Sequence, residues 1–581
     1  MHYIRTFQKR NLLLVLFVVI LAAIILIGRV YYLMVPGSEH LAEAAKNLHE
    51  RERVIKAERG KIYDRNGEVL ADNMPVCTIS VIHNQISDAE QVIRVLCEKL
   101  GLNEEYVRKR VEKKSSIETI KTNVDKEIAD AIREYELDGV MVDEDYRRFY
   151  PYGSLASKVL GFTGSDNQGI LGLEVKYDFW LKGENGKILT MATAHGMEIP
   201  DMAESMVTPV TGNSIKTSLD VAIQSYAEQI CGKVLEVKSA KNVSIIVMNP
   251  QNGEIYALVN VPEYDLNAPY ELTEIYTAGQ EQEMTAEKKT ELLNQMWRNS
   301  CISDTYEPGS AFKIITATAA FEHDSLELRH NFYCPGYKLV ADRRIRCHKT
   351  QGHGSQTFTE AIMNSCNPAF MEIGGRTGIE NMYETFRALG LFEKTGIDLP
   401  GEASSIMHKA ENVKEVELAT ISFGQSFQIT PLQLMSATST VINGGTRITP
   451  HFVTEIVNNA GVTIKTVDGI GETGIVSAET SEIMRTVLEQ VVSEGTGHNA
   501  YVEGFRIGGK TATSEKLPRR SGKYIASFLG FAPADNPQVI AMVIIDEPQG
   551  LYYGGTIAAP VMGDLLEVIL PYLGIEQSEE S

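Results

Sequence analysis

The sequence predicts an α/β layer domain carried behind an N-terminal membrane anchor. Three observations predict it. Leu12 to Gly28 is an uncharged run of 17 residues built mostly from Leu, Val and Ile. An apolar strand, Val243 to Met248, meets a turn at Asn252-Gly253, and Glu254 to Val259 pairs back. Phe505 to Thr513, Ala526 to Ala532 and Val539 to Ile545 read as three further strands after a long helical block. Helices set between early and late strands give a sheet that closes from both ends of its domain.

At 581 residues the chain is long for one domain. Its formal net charge of −21 argues against nucleic-acid binding, which needs basic surface, and against polyanionic substrates. The apolar run is at the short end for a membrane span, and Val30 to Met34 extend it past Arg29. Arg5, Lys9 and Arg10 precede it, which places the N-terminus in the cytoplasm and the rest of the chain outside. A cleaved signal peptide is the alternative, but its apolar region is usually shorter and ends at a small-residue cleavage site. No later stretch matches this run, so a single-pass membrane protein is expected.

Residues 36–58 read as a charged helical stalk. Arg59 to Ala71 follows as a β-hairpin turning at Asn66-Gly67. Residues 86–136 alternate at helical spacing. Residues 147–183 are Gly-rich with Tyr and Phe interleaved, and read as loops and turns rather than a compact core. A helix is expected from Val221 to about Val237. Residues 270–296 read as a polar surface insertion, and 310 to about 395 as a helical block. The seven cysteines all follow the anchor, in odd number and at scattered spacing. No C-x-x-C pair or His/Cys cluster suggests a metal, and free buried thiols are the plain reading.

Three patterns carry chemistry. Ser310 has Lys313 three positions later, at the start of an apolar segment after a Pro-Gly break. Residues three apart share a helix face, so hydroxyl and amine would meet in apolar surroundings. The plain alternative is a serine N-cap beside a surface lysine. Ser365-Cys366-Asn367-Pro368 follows a helical stretch and could point Ser365 and Asn367 into one cleft, or could be an ordinary helix-ending loop. Gly508-Gly509-Lys510-Thr511-Ala512-Thr513 reads as a strand with Lys510 and Ala512 on one face and Thr511 and Thr513 on the other. An edge-strand lysine among β-prone threonines is the alternative.

The three in this order resemble the penicillin-recognising serine enzymes, with Ser-x-x-Lys, Ser-x-Asn and then Lys-Thr-Gly. Arg59-Gly60 through Ala71, Arg148 to Pro151, Gly169 to Glu174, Tyr306 to Lys313 and Gly530 to Pro533 extend the likeness to class B, monofunctional penicillin-binding proteins. Asp166 to Gly169, Gln356 to Pro368 and Glu494 to Gly509 look most like the stage V sporulation protein D branch, here without a PASTA-like tail. Two positions depart from the family pattern: Ala512 stands where relatives have Gly, and Gln425-Ser426 where they have Gln-Gly. The added methyl at Ala512 would narrow the cleft or alter drug affinity.

The resemblance implies an α/β (α+β) penicillin-binding transpeptidase fold. Its parts would be a cytoplasmic tail (1–11), a transmembrane anchor (12–34), a dimerisation-type pedestal (35–215), a transpeptidase domain (216–572) and an acidic tail (573–581). It implies a D,D-transpeptidase that cross-links peptidoglycan stem peptides ending in D-Ala-D-Ala, is acylated by β-lactams, and serves spore-cortex or septal wall synthesis. Ser310 would be the nucleophile and Lys313 its base. Ser365 would relay a proton, Asn367 hold the substrate amide, and Lys510 with Thr511 or Thr513 bind the terminal carboxylate. The N–H groups of Ser310 and Thr513 would form the oxyanion hole. No metal or organic cofactor is implied, and a membrane glycosyltransferase partner is. A β-lactamase, a β-lactam sensor and a catalytically silent scaffold share enough of these features to remain alternatives. Cys366 lies inside the second motif, 19 positions after Cys347. A disulfide between them could displace Ser365 and switch the site off. Alternatively Cys366 fills a small buried space, or Cys334 partners Cys347.

Overall fold

His2–Met34 forms one helix, and its Arg10–Met34 segment, of mean hydropathy 3.1, is long and apolar enough to cross a membrane. The structure, a computed structural model, describes residues 2–35, 50–115, 117–192, 198–277 and 284–578. It divides into two compact units. One holds Met1–Glu58, Met74–Arg147 and Glu184–Val210, and the other holds Arg59–Asn73, Arg148–Gly183 and Thr211–Ser581. The units therefore do not follow a boundary at 215/216, because two earlier stretches fold with the C-terminal part.

In the first unit, Glu50–Ile55 is a strand paired antiparallel with Gly186–Ala192, which in turn pairs with Glu198–Val207. The expected helical stalk is corrected here: 36–49 lie outside the described residues, and 50–55 are extended because cross-strand pairing overrides their weak helix preference. Ala89–Leu100, Glu104–Val111 and Lys126–Arg133 are helices. The first is capped by Asp88, whose carboxylate accepts from the Gln91 N–H, and stops at Gly101 in the left-handed region. Between them Glu118–Asp125 is a strand, which the helical reading of 86–136 missed. Val92, Leu96, Val107, Ile120, Val124 and Ile132 close this unit's core.

In the second unit, Ile62 and Tyr63 pair with Ala71 and Val69 across the Asn66-Gly67 turn, as expected. The stretch expected to be loops is instead packed. Short helices at Ser157–Leu160, Gly172–Lys176 and Asp178–Leu181 bury Val159, Leu160, Leu173 and Leu181 in the main core. A buried ion cluster holds them. The Glu174 carboxylate accepts from Arg59 Nε and Arg148 Nε, each at 2.6 Å, and Arg59 Nη1 reaches Asp178 at 2.6 Å.

The central sheet has five strands, all antiparallel, in the order Ile255–Val261, Asn242–Met248, Val539–Asp546, Tyr524–Ala532, Gly508–Glu515. Early and late strands meet as the pattern predicts. Alternation sorts the two faces. Ile245 and Val247 pack with Val221–Lys238 and Ala559–Tyr572, through Ala227, Leu565 and Ile569. Ile246, Met248 and Leu529 pack on the other side with Lys313–Glu322, Asn367–Ala388, Pro431–Ile442 and Ala478–Ser493. Two expectations fail in this layer. The block after 310 is interrupted by two small strand pairs, Asn331–Cys334 with Gly354–Thr357 and Tyr337–Val340 with Arg343–Arg346. The polar 270–296 region contains the helix Ala286–Trp297, which buries Leu292, Leu293 and Met296.

Candidate active site

Ser310 lies in a 3-10 turn, Gly309–Phe312, and the α-helix proper begins at Lys313. The expected α-helical start at Ser310 is thus corrected by one turn. Two glycines seat this turn. Gly309 has φ +56° and donates its N–H to Gly424 O at 2.9 Å. A Cβ on Gly424 would lie 2.0 Å from Gly309 O, and one on Gly309 would lie 2.5 Å from Ser514 Oγ. The close approach brings half-buried Ser310 against the Gly508–Glu515 strand.

Lys313 is fully buried, and its Nζ donates to three acceptors: Ser365 O at 2.7 Å, Ser365 Oγ at 3.1 Å and Asn367 Oδ1 at 2.7 Å. Burial pushes its amine down to about 7, against the opposing pull of Cys366 and Cys347. The second motif reaches Lys313 through a chain reversal. Phe358–Met363 ends in a Schellman turn, with Ser365 N–H donating to Ile362 O and Cys366 N–H to Ala361 O. The left-handed residue of such a turn is usually Gly; here it is Ser365, at φ 49°. Cys366 then caps the next helix, which opens with Asn367 and Pro368. The loop alternative and the functional reading therefore describe one object: a helix-ending loop that aims both side chains at Lys313.

Lys510 is fully buried on the edge strand. Burial pushes its amine well below the ordinary lysine value, and the charge of Lys313 acts in the same direction. Ala512 is buried and packs with the helical layer. A Cβ at Gly554 would lie 2.2 Å from Ala512 O, so this strand has a backbone pressed against it. Thr513 Oγ1 accepts from Gly554 N–H at 2.9 Å, and Thr511 Oγ1 donates to Thr496 Oγ1 at 3.4 Å. Thr496 and Gly554 were not singled out as site residues; Glu494-Gly495-Thr496-Gly497 was noted only as a branch mark. Ser426 is held at φ 71°, which explains why Gly suits that position, and its Oγ bonds Thr420 Oγ1 at 2.9 Å.

The cysteines overturn the expectation that no His/Cys cluster exists. Cys334, Cys347, His353 and Cys366 bring one ligand atom each to within 4.8 Å of one another. All seven cysteines are free thiols. The Cys366 thiol beside it drives Cys347 down, and Cys347 drives Cys366 up. Sequence reading missed the set because the ligands are spread as C-x12-C-x5-H-x12-C, with none of the close spacing that marks a zinc knuckle.

The model of the penicillin binding protein transpeptidase domain matches residues 243–567, and that of the penicillin-binding protein dimerisation domain matches 54–217. The chain belongs to the class B penicillin-binding proteins. It is 40% identical over 98% of its length to stage V sporulation protein D of Bacillus subtilis (strain 168), of which 87% is covered. It is 30% identical to the probable peptidoglycan D,D-transpeptidase PenA of Neisseria meningitidis serogroup A, over 95% of this chain and 91% of that one. The fold is that of a peptidoglycan synthetase from Bifidobacterium adolescentis, with TM-score 0.73 and 22% identity over 92% of this chain and 98% of that chain.

Proposed function

We propose that this chain is a serine-type peptidoglycan D,D-transpeptidase of spore-cortex or septal wall synthesis. The observation that carries the reading is the buried Lys313 amine, three residues from Ser310 and held by Ser365 and Asn367. A lysine near 7 is substantially neutral at neutral pH and can take the Ser310 proton.

Ser310 Oγ attacks the carbonyl carbon of the penultimate D-Ala, and its proton passes to Lys313. Ser365 returns a proton to the leaving amine; the C–N bond breaks, D-Ala departs, and an ester on Ser310 remains. The amine of a neighbouring stem peptide then attacks that ester, forming the cross-link and restoring the Ser310 hydroxyl. Ser310 and Thr513 N–H groups receive the oxyanion. Gly508–Glu515 is an edge strand, along which an extended peptide can pair. The substrate carboxylate, entering this apolar place, favours the charged form of Lys510, with Thr511 or Thr513 as hydroxyl donors, and Asn367 holds the peptide amide. A β-lactam presents the same carbonyl and carboxylate, so it acylates the same serine.

The basic residues before the anchor put the N-terminus in the cytoplasm and the catalytic unit outside. Glycan strands must be polymerised before they are cross-linked, which calls for a membrane glycosyltransferase partner. The similarity to a sporulation protein supports the cortex over the septum.

The test is D-alanine release by the full chain in detergent, given a donor peptide ending in D-Ala-D-Ala and an amine acceptor. Release with cross-linked product is expected, and its loss by about 10³-fold or more in Ser310→Ala. Undiminished release in that variant would overturn the assignment. Fast turnover of penicillin with no cross-linking would favour a lactamase, and no acylation at all a scaffold.

A further inference from the structure

We propose that Cys334, Cys347, His353 and Cys366 form a closed, structural zinc site that pins the Ser365-Cys366-Asn367 turn beside the catalytic lysine. Four observations carry it.

The first is convergence. Four donors from four separate chain positions meet within 4.8 Å. A disulfide would use two of the four and leave a buried thiol beside a half-buried imidazole for no evident reason. Zinc–sulfur bonds of about 2.3 Å and zinc–nitrogen bonds of about 2.0 Å set tetrahedral ligand–ligand edges of about 3.5–3.8 Å. Cys347 Sγ and His353 Nδ1 are 3.7 Å apart. The ring of His348 flanks the group, 3.8 Å from the same sulfur.

The second is donor chemistry. Three thiols and one imidazole suit a borderline-soft tetrahedral ion rather than magnesium or calcium, which take oxygen ligands. Cys334, Cys347 and Cys366 are 1%, 2% and 0% exposed, and with half-buried His353 they supply all four ligands of a tetrahedron, the mark of a structural site.

The third is the poverty of the surrounding core. Residues 331–357 form two four-residue strand pairs. Tyr333 and Leu339 are 71% and 66% exposed, and Phe332, Gly336 and Gln356 are the buried residues besides the cysteines. A hairpin pair with so little apolar burial needs another staple. Its backbone is drawn tight around the sulfurs: a Cβ on Gly352 would lie 2.3 Å from Cys334 O, and Cys347 N–H donates to Gly336 O at 2.8 Å.

The fourth is position. Cys366 is the residue between Ser365 and Asn367, the two that hold Lys313 Nζ. A ligand bond at Cys366 fixes the Schellman turn whose left-handed serine is otherwise strained. Zinc binding would release the protons of the three thiols and form three Zn–S bonds and one Zn–N bond, with no change of oxidation state.

The test uses the full chain, purified in detergent under reducing conditions without added metal. Elemental analysis should find one zinc per chain, and cobalt exchange should give the intense visible bands of a tetrahedral thiolate site. Cys334→Ser, outside the three motifs, should lose most of its metal. It should also slow penicillin acylation, by about a hundredfold if Ser365 shifts by an ångström. Chelated wild-type protein should recover its acylation rate with zinc, which separates loss of metal from misfolding of the variant. A wild-type chain with all cysteines titrating as free thiols and no stoichiometric metal would overturn the site. So would a Cys347–Cys366 disulfide in the metal-free protein as purified, or a cobalt spectrum lacking tetrahedral bands. Metal content is read without reference to activity, so this result stands apart from the transpeptidase assay.

Discussion

The Lys313 amine has to be neutral to act as a base and buried to be neutral. The fold meets both needs by opening an apolar helix with it and capping it with three oxygens from one turn. Its donors are satisfied whether it is charged or not, so no water is needed in the pocket. A pH dependence follows. Below about 7 the amine holds a proton and cannot accept the one from Ser310; above it the base is free. The second-order rate of penicillin acylation should therefore rise through about pH 7 and level off on the alkaline side. A rate that is flat from pH 5 to pH 9 would remove Lys313 from the role of base. The two departures from the family pattern differ in physical weight. Ser426 takes up a left-handed backbone, worth roughly 1–2 kcal/mol of strain, and recovers part of it through Thr420. Ala512 keeps an ordinary strand conformation and is simply packed.

At the scale of elements, the marks at Arg59-Gly60, at Arg148 to Pro151 and at Gly169 to Glu174 converge on one buried carboxylate. Burial alone would raise Glu174, but Arg148 and Arg59 outweigh it and hold the carboxyl below its usual range. Its contribution to stability is therefore full above the ordinary carboxylate range and is lost as pH falls through the lowered value. Glu174→Ala leaves Arg148 buried without its carboxylate partner and Arg59 with Asp178 alone. It should cost about 3–5 kcal/mol, read as a lower urea midpoint for the unit containing 148–183. A midpoint unchanged from wild type would mean the cluster is not what holds these short helices. This cluster also explains why the sequence misled at 147–183. Glycines and aromatics look like loop composition, and the long-range ion pairs that gather them leave no local period. The strands of the central sheet were legible because alternation and turn residues are local signals. The strand at Glu118–Asp125 was not, because its neighbours on both sides are helical. Ser310, Lys313, Ser365, Asn367 and Lys510 were legible as ordered motifs. The Cys/His set was not, since 12, 5 and 12 residues separate its successive ligands in sequence and they meet only through the small hairpins.

At the scale of the whole molecule, the chain carries an apolar N-terminal helix and a unit whose sheet edge, serine turn and Schellman turn form the proposed acylation centre. The two family models match residues 54–217 and 243–567, and the fold likeness covers nearly the whole chain. A wall cross-linking enzyme must hold its acyl group long enough for an acceptor amine to arrive, which distinguishes it from a hydrolase with the same motifs. The most direct measurement is mass spectrometry of the full chain after exposure to benzylpenicillin, with peptide mapping over time. One covalent penicilloyl group per chain is expected, on the peptide carrying Ser310, persisting over many minutes and absent from Ser310→Ala. An adduct on another residue, or a folded chain that takes none, would contradict the account.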